Sequence, residues 1–172
     1  MENKEFEVIY QRYVQEVFKF LVKLSGSYHI SEKITQETFV RAYIALDGFR
    51  GDCQLKVWLC QIAKNLFFDY LKKNKNNVPL ELIEENYIDV EKTDFTDDFI
   101  KKEKLLQIIH MIHHLKEPYQ TIIIQRIFLE LSYAEIGEQL GKTENWVRVN
   151  FYRAKNKIQN MIYEMEGDDN EM

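Results

Sequence analysis

The chain has 172 residues, a length that suits one ordinary domain or two small ones. Its 23 basic and 28 acidic residues give a net charge of −5, which taken alone argues against a general nucleic-acid binder. Glycine and proline are scarce, so long helices with few turns are expected and no sheet is predicted. Neither a signal peptide nor an apolar run of about 20 residues is evident, which predicts a cytoplasmic protein without direct membrane insertion.

The charge is distributed unevenly. Residues 1–77 hold 12 basic and 9 acidic residues, whereas residues 78–102 hold 3 and 8. Residues 103–163 hold 8 basic and 6 acidic residues, and five acids with no base follow Tyr163. Two mildly basic blocks are therefore separated by an acidic segment and closed by an acidic tail, an asymmetry that says more about partners than the total does.

The first block has the apolar spacing of three helices. The first helix would end at Gly26 and Ser27, and Ser31 is a candidate N-cap of the second. The core face of the second helix would hold Phe39, Ala42, Tyr43 and Leu46. After a loop with two glycines (residues 47–52), the inner face of the third helix would hold Leu59, Ile62, Ala63, Leu66 and Tyr70.

Aromatic and basic residues alternate from this loop into the third helix. They could hold single-stranded nucleic acid, because bases stack on aromatic rings and phosphates attract cations. Rings such as Trp58, Phe67 and Tyr70 more often form the core of a domain, and composition does not separate these two interpretations. In the second helix, polar residues lie on either side of the apolar face. They could dock on another protein or simply face solvent, and the sequence favours neither interpretation. The alternating residues are Phe49, Arg50, Lys56, Trp58, Lys64, Asn65, Phe67, Phe68 and Tyr70.

The second block has the pattern of a helix-turn-helix. Pro118 would start one helix, which Ile123, Ile124 and Ile127 continue. Ser132 and Glu135 have the spacing of a capping box, and Gly141 would end the short helix that this box begins. Thr143 would then cap a final helix from Glu144 to about Met165.

The final helix separates two kinds of residue. Its apolar residues recur at three- and four-residue steps on one face: Val147, Phe151, Ala154, Ile158 and Ile162. Its other faces carry no acid between Asn145 and Gln159. The exposed residues of this stretch are mainly arginine, lysine, asparagine and tyrosine. Because arginine can read guanine, asparagine can read adenine and lysine can hold phosphate, they predict DNA contact in the major groove.

Other classes of function have weaker support. His110 and His114 have a spacing that could bind a metal, but no third ligand and no nucleotide-binding or hydrolase motif accompanies them. Cys53 and Cys60 form neither a redox pair nor a zinc set. We therefore predict no enzyme activity, no cofactor and no metal site. A stand-alone helix-turn-helix regulator remains the alternative function.

Five stretches of sequence carry a family resemblance. In the first block they are ITQETFVRAY (residues 34–43), FRGD (49–52) and WLCQIAKN (58–65). In the second block they are LSYAEIG (131–137) and VRVNFYRAK (147–155). In this order and at this separation they resemble regions 2 and 4 of the extracytoplasmic-function (ECF) group of the sigma-70 family of RNA polymerase sigma factors.

The resemblance implies an all-α fold of two small helical domains joined by an acidic linker. Residues 1–76 would be sigma region 2, residues 77–100 the linker, residues 101–165 sigma region 4 with its helix-turn-helix, and residues 166–172 an acidic tail. The implied function is that of an alternative sigma factor, which directs core RNA polymerase to specific promoters and initiates transcription.

The resemblance implies three sets of contacts, to which the residue pattern adds Lys56, Lys64, Asn145 and Lys155. Core polymerase, through its clamp helices, would bind Ile34, Gln36, Glu37, Val40 and Arg41. The −10 element would be recognised and melted by Phe49, Arg50, Gly51, Asp52, Lys56, Lys64 and Asn65. The −35 element would be read by Asn145, Arg148, Val149, Tyr152, Arg153 and Lys155. The other implied partners are the polymerase flap and a cognate anti-sigma factor.

Three positions depart from the family pattern. Lys33 stands where an acid is usual before the Gln36-Glu37 pair. Val149 and Asn150 replace residues that are usually small, polar or basic, and Val149 could still contact a thymine methyl group.

Overall fold

The structure is a computed structural model that describes residues 3–74 and 95–168. These residues form seven helices and no strand, which confirms the all-α prediction. The chain folds into two compact units, Met1–Asp98 and Phe99–Met172. Most of the segment predicted as an acidic linker, and the tail after residue 168, lie outside the described residues.

The first domain consists of three helices that pack against one another. They are α1 (Asn3–Ser25), α2 (Tyr28–Ala45) and α3 (Leu55–Lys73), with one turn of 3₁₀ helix at Leu46–Gly48. All three helices are long enough to bury an apolar stripe, which is what stabilises helices in water. The buried core includes Val17, Phe20, Leu21, Leu24, Ile30, Phe39, Ala42, Leu59, Ala63 and Phe67.

The N-cap of α2 is Ser27 and not Ser31 as predicted. Helix α1 ends just before Gly26, as predicted, and Gly26 adopts a positive φ of 68°. Helix α2 begins directly afterwards. Ser27 is its N-cap, because its hydroxyl accepts a hydrogen bond from the backbone N–H of Ile30 at 3.3 Å. Ser31 is not a cap: it is buried inside α2, and its hydroxyl donates to the Ser27 carbonyl at 2.6 Å.

The second domain contains the four remaining helices. They are α4 (Phe95–His114), α5 (Tyr119–Ile123), α6 (Tyr133–Leu140) and α7 (Glu144–Asp168), and α5 continues as a single π-helical turn, Ile124–Phe128. Helices α5 and α6 pack on α7. The core includes Ile109, Ile112, Leu115, Ile122, Ile123, Ile136, Val147 and Ala154.

Some residues differ in position from the sequence prediction. Helix α4 begins at Phe95, inside the range assigned to the linker. Tyr43 was assigned to the core face of α2 but is about half exposed, and Ile127 of the π-helical turn is exposed to a similar extent. Tyr43 instead rests against the ring of Phe6 with centroids 5.0 Å apart, at the edge of the first domain's core.

Candidate nucleic-acid interface

The capping box of α6 is formed as predicted. Ser132 accepts a hydrogen bond from the backbone N–H of Glu135 at 3.2 Å, and the Glu135 carboxylate accepts one from the backbone N–H of Ser132 at 2.7 Å. The Ser132 hydroxyl also donates to the same carboxylate at 2.7 Å. Because the hydrogen bonds from the Ser132 hydroxyl and from its backbone N–H favour the charged carboxylate, they lower the pKa of Glu135 below its usual value. The start of α6 is thereby fixed.

The turn between α6 and α7 is closed by two glycines. Gly141 ends α6 in the left-handed conformation, with φ of 63°, as predicted. Gly137 allows a close backbone approach, since a Cβ there would lie 2.6 Å from the carbonyl oxygen of Lys142. Thr143 then accepts a hydrogen bond from the N–H of Trp146 at 3.2 Å, which confirms that it caps α7. Short-range contacts thus fix the helix-turn-helix.

Helix α7 separates its residues as its periodicity predicts. Val147 and Ala154 are fully buried against α5 and α6. Every side chain of the predicted −35 set is exposed, namely Asn145, Arg148, Val149, Tyr152, Arg153 and Lys155. Within this set the Lys155 ammonium lies 6.0 Å from the centre of the Tyr152 ring. The helix therefore presents a continuous surface of cations, an aromatic ring and hydrogen-bond donors.

The loop before α3 is built on an aromatic pair. The rings of Phe49 and Trp58 have centroids 5.0 Å apart, and both are partly exposed. Gly51 adopts a positive φ of 76°, which turns the chain beside them. Arg50, Gly51 and Asp52 are exposed in this loop, and Asn65 is exposed on α3. These residues remain available to a ligand.

The two lysines predicted to contact the −10 element lie in different surroundings. The Lys56 ammonium forms an ion pair with Glu16 of α1 at 2.7 Å. Lys64 is only 4% exposed and stands over the ring of Phe68. This burial disfavours a contact of Lys64 with the −10 element, which stays a prediction.

The aromatic residues of α3 belong mainly to the core. Phe67 and Phe68 are buried, whereas Trp58 and Tyr70 are partly exposed. Cys60 is buried nearby, and burial raises the pKa of its thiol to about 12. Of the two interpretations of these rings, the core applies to Phe67 and Phe68, and base stacking stays open for Trp58 and Phe49.

Helix α2 exposes most of the residues predicted to bind polymerase. Gln36, Glu37, Val40 and Arg41 are exposed, and Arg41 pairs with Glu37 at 2.9 Å. Ile34 is 2% exposed and packs in the core, so its assignment to a partner surface is wrong. The unusual Lys33 places its ammonium 5.7 Å from the centre of the Tyr70 ring.

Two family models match the two domains separately. Residues 9–77 match Sigma-70 region 2, and residues 105–158 match Sigma-70, region 4. The ECF RNA polymerase sigma-E factor of Haemophilus influenzae is 30% identical to this chain over 169 residues, which cover 94% of the chain and 89% of that protein. The chain belongs to the ECF group of the sigma-70 family.

A further relative is similar over most of the chain, and two solved structures share its fold. The ECF RNA polymerase sigma factor SigM of Bacillus subtilis is 28% identical, with 87% of this chain and 90% of that protein covered. The sigma factor RpoE from Bartonella quintana, crystallised with the anti-sigma factor NepR, matches the fold with a TM-score of 0.50 at 20% identity, covering 93% of this chain and 98% of that one. CnrH, solved with the cytosolic domain of CnrY, gives 0.51 at 17% identity, covering 95% and 90%.

Membership decides between the two functions considered above. The chain is an alternative sigma factor, a protein that directs RNA polymerase to promoters and initiates transcription, and not a stand-alone helix-turn-helix regulator.

Sequence reasoning missed three features around α7 of this sigma factor. Glu144 pairs with Arg148 at 2.6 Å, and Tyr133 of α6 lies under the same guanidinium with its ring centre 5.4 Å away. Asn150 is buried, and its amide donates to the Trp146 carbonyl at 2.8 Å. The four-residue spacing of Glu144 and Arg148 could have indicated their pairing, whereas nothing local indicates the position of Tyr133.

The histidines of α4 lie close together without forming a metal site. The rings of His110 and His114 have centroids 4.4 Å apart, and Nδ1 of His114 lies 2.8 Å from the His110 carbonyl oxygen. Among the residues that the structure describes, no group of three or more potential ligands is placed to hold a metal ion. Nor is any helix in the described ranges long and apolar enough to cross a membrane.

Proposed function

We propose that this sigma factor divides promoter recognition between its two domains. The second domain would read the −35 element as duplex DNA through α7. The first would bind core polymerase through α2 and capture the opened −10 element beside the Phe49 loop. The observation that carries this proposal is the exposed surface of α7, which has no acid between Asn145 and Gln159, on a closed helix-turn-helix, since that arrangement normally enters the major groove.

Base reading at the −35 element would rest on Arg148, with Val149 available for a thymine methyl group. Tyr152, Arg153 and Lys155 would contact the backbone and fix the register of the helix. Arg148→Ala should reduce discrimination at one base pair by about 1–3 kcal/mol, measured as relative transcription from promoters altered at single −35 positions. Lys155→Ala should instead weaken binding to all sequences alike and make it less dependent on salt.

Capture of the −10 element would use the loop and the exposed edge of α3. Arg50 could hold a phosphate, the Phe49–Trp58 pair offers a surface for stacking, and Asn65 offers an amide to a base drawn out of the duplex. Asn65→Ala should slow promoter opening more than it weakens duplex binding, when permanganate reactivity of unpaired thymines is compared with the fraction of DNA bound. Equal losses in both steps would argue against base capture.

Binding of core polymerase would use the exposed face of α2. Val40 and Ile44 are 60% and 76% exposed, an apolar centre flanked by the Glu37–Arg41 pair. Val40→Asp should lower the affinity for core polymerase, measured by fluorescence anisotropy of the labelled full chain. Ile34 has no place in this surface because it is buried.

Several further properties accompany this proposal. The polymerase clamp helices and flap are the proposed protein contacts, and the acidic segment of residues 77–100 would lie between the two promoter-binding domains. Because two solved relatives of the same fold are complexed with an anti-sigma factor or a cytosolic protein domain, a cognate anti-sigma factor is a further proposed partner. We infer that the protein acts in the cytoplasm, where it would meet polymerase and DNA, with no enzyme activity or cofactor of its own.

The decisive experiment is run-off transcription by core polymerase on genomic promoter fragments, with and without the full chain. Specific transcripts that require the chain are expected. The absence of stimulation on every fragment, with a chain that still binds core polymerase, would contradict the proposed division of promoter recognition.

A further inference from the structure

The guanidinium of Arg148 is held from two directions. Glu144 Oε1 lies 2.6 Å from Arg148 Nη2, and the Arg148 Cζ atom stands 5.4 Å from the centre of the Tyr133 ring. The Arg148 side chain nevertheless remains 51% exposed. It is therefore both oriented by its neighbours and open to a ligand.

The two residues that hold Arg148 come from different helices of the motif. Glu144 is the first residue of α7 and lies one turn before Arg148, whereas Tyr133 is the first residue of α6. The relative position of Glu144 and Tyr133 depends on the turn at Gly141. This turn is tight, because the backbone at Lys142 packs closely against Gly137. The orientation of Arg148 therefore depends on the whole helix-turn-helix and not on α7 alone.

Tyr133 is itself fixed. Its ring lies 5.6 Å from that of Phe151, and the guanidinium of Arg126 stands 4.9 Å from its centre. Arg126 in turn donates a hydrogen bond to the Leu131 carbonyl at 3.0 Å. Tyr133 thus offers Arg148 a rigid surface, with no need to become ordered when DNA binds.

Holding an arginine in this way has two consequences for base reading. A guanidinium reads guanine through two parallel N–H groups, so a side chain already in one orientation loses less entropy on binding. The carboxylate of Glu144 also stands beside the DNA-facing surface, where its negative charge repels the phosphates of DNA. This repulsion weakens binding to sequences in which Arg148 gains no base contact. Both effects raise the ratio of specific to non-specific binding.

We propose that Glu144 and Tyr133 are positioning residues for base recognition, which hold the guanidinium of Arg148 in the orientation that reads a base pair and so determine specificity. This inference rests on the proposed reading of duplex DNA by α7.

The test uses the full chain bound to core polymerase and a promoter library randomised over about ten base pairs, one helical turn, at the −35 element. Sequencing of the bound fraction gives the discrimination at each position. Glu144→Gln should lower discrimination about two- to tenfold at the one base pair that Arg148→Ala also affects. Binding to random sequence should be unchanged or tighter, because a negative charge has been removed.

Matched variants separate positioning from other effects. Glu164→Gln removes the same charge from the same helix about 30 Å away and should leave discrimination unchanged. Tyr133→Phe keeps the ring and should retain discrimination, whereas Tyr133→Ala should lose it. In the Arg148→Ala background, Glu144→Gln should have no further effect on specificity.

The outcomes distinguish this inference from the proposed function. If Arg148→Ala lowers discrimination but Glu144→Gln does not, or if Glu144→Gln acts equally without Arg148, the positioning role is overturned while base reading by α7 stands. If Arg148→Ala changes discrimination at no position, base reading by Arg148 itself is wrong.

Discussion

In the second domain the candidate DNA-binding side chains all lie along one exposed surface of α7, whereas in the first they are divided between a loop and α3. Every member of the second set is exposed. In the first, Lys64 is buried, Lys56 is paired with Glu16, and Phe49 rests on Trp58. The same types of residue therefore have different uses in the two domains.

The difference follows from how each surface is built. A groove-reading helix needs only one face, and the 3.6-residue period separates that face from the core. A site for single-stranded DNA joins a loop to a helix, and aromatic rings serve such a site and a core equally well. Exposure in the first domain must therefore be known residue by residue before a role is assigned.

The largest effect should come from the buried aromatic residues of the first domain. Phe67→Ala should lower the free energy of unfolding by about 3–5 kcal/mol, because the ring is fully buried and its loss leaves a cavity. Tyr152→Ala on α7 should change stability by no more than about 0.5 kcal/mol but weaken promoter binding. Denaturant unfolding and DNA-binding assays check both. A large loss of stability from Tyr152→Ala would remove the contrast between the domains.

Two glycine variants, one in each domain, should differ in their effect on stability because only one glycine is packed closely against another part of the backbone. Gly137→Ala should cost about 1–3 kcal/mol, because its Cβ would meet the Lys142 carbonyl in the turn of the helix-turn-helix. Gly48→Ala in the first domain is the control, since a Cβ there has nothing within 4 Å. Thermal unfolding distinguishes them, and equal effects would show that the turn tolerates a side chain.

The capping box should make the second domain sensitive to acid. Ser132→Ala should cost about 1 kcal/mol at neutral pH. Because the pKa of Glu135 is lowered in the folded state, its contribution is present above its unfolded value, 4.5, and is lost as pH falls through the folded value. Stability measured between neutral pH and pH 3 should fall more in the natural chain than in Glu135→Gln. Parallel pH profiles would contradict this origin of the acid sensitivity.

The smallest expected effect concerns the ion pair of the first domain. A double-mutant cycle of Glu16→Gln and Lys56→Met should give a coupling of about 0.2–1 kcal/mol, because both side chains are partly exposed. If Lys56 also contacts the −10 element, Glu16→Gln should strengthen promoter binding modestly, and only when Lys56 is present. An equal gain with Lys56→Met would exclude Lys56 from that contact.

Much of the fold was predictable because it depends on local signals. The capping box at Ser132, the left-handed Gly141 and the cap at Thr143 lie where sequence places them, since each involves neighbours within a few residues. Local signals also produced an error at Ser31. Two serines four residues apart were both competent caps, and packing made Ser27 the cap and buried Ser31.

The sequence alone determined the two helical blocks, the membership of the sigma-70 family and the exposed stripe of α7, because these depend on composition, periodicity and the order of motifs. Only tertiary structure decided that Lys64 and Ile34 are buried, and that Tyr133 lies against Arg148 across the turn. The physical reason is that burial and contact between helices depend on how helices pack, whereas a periodic pattern specifies only which residues share a face.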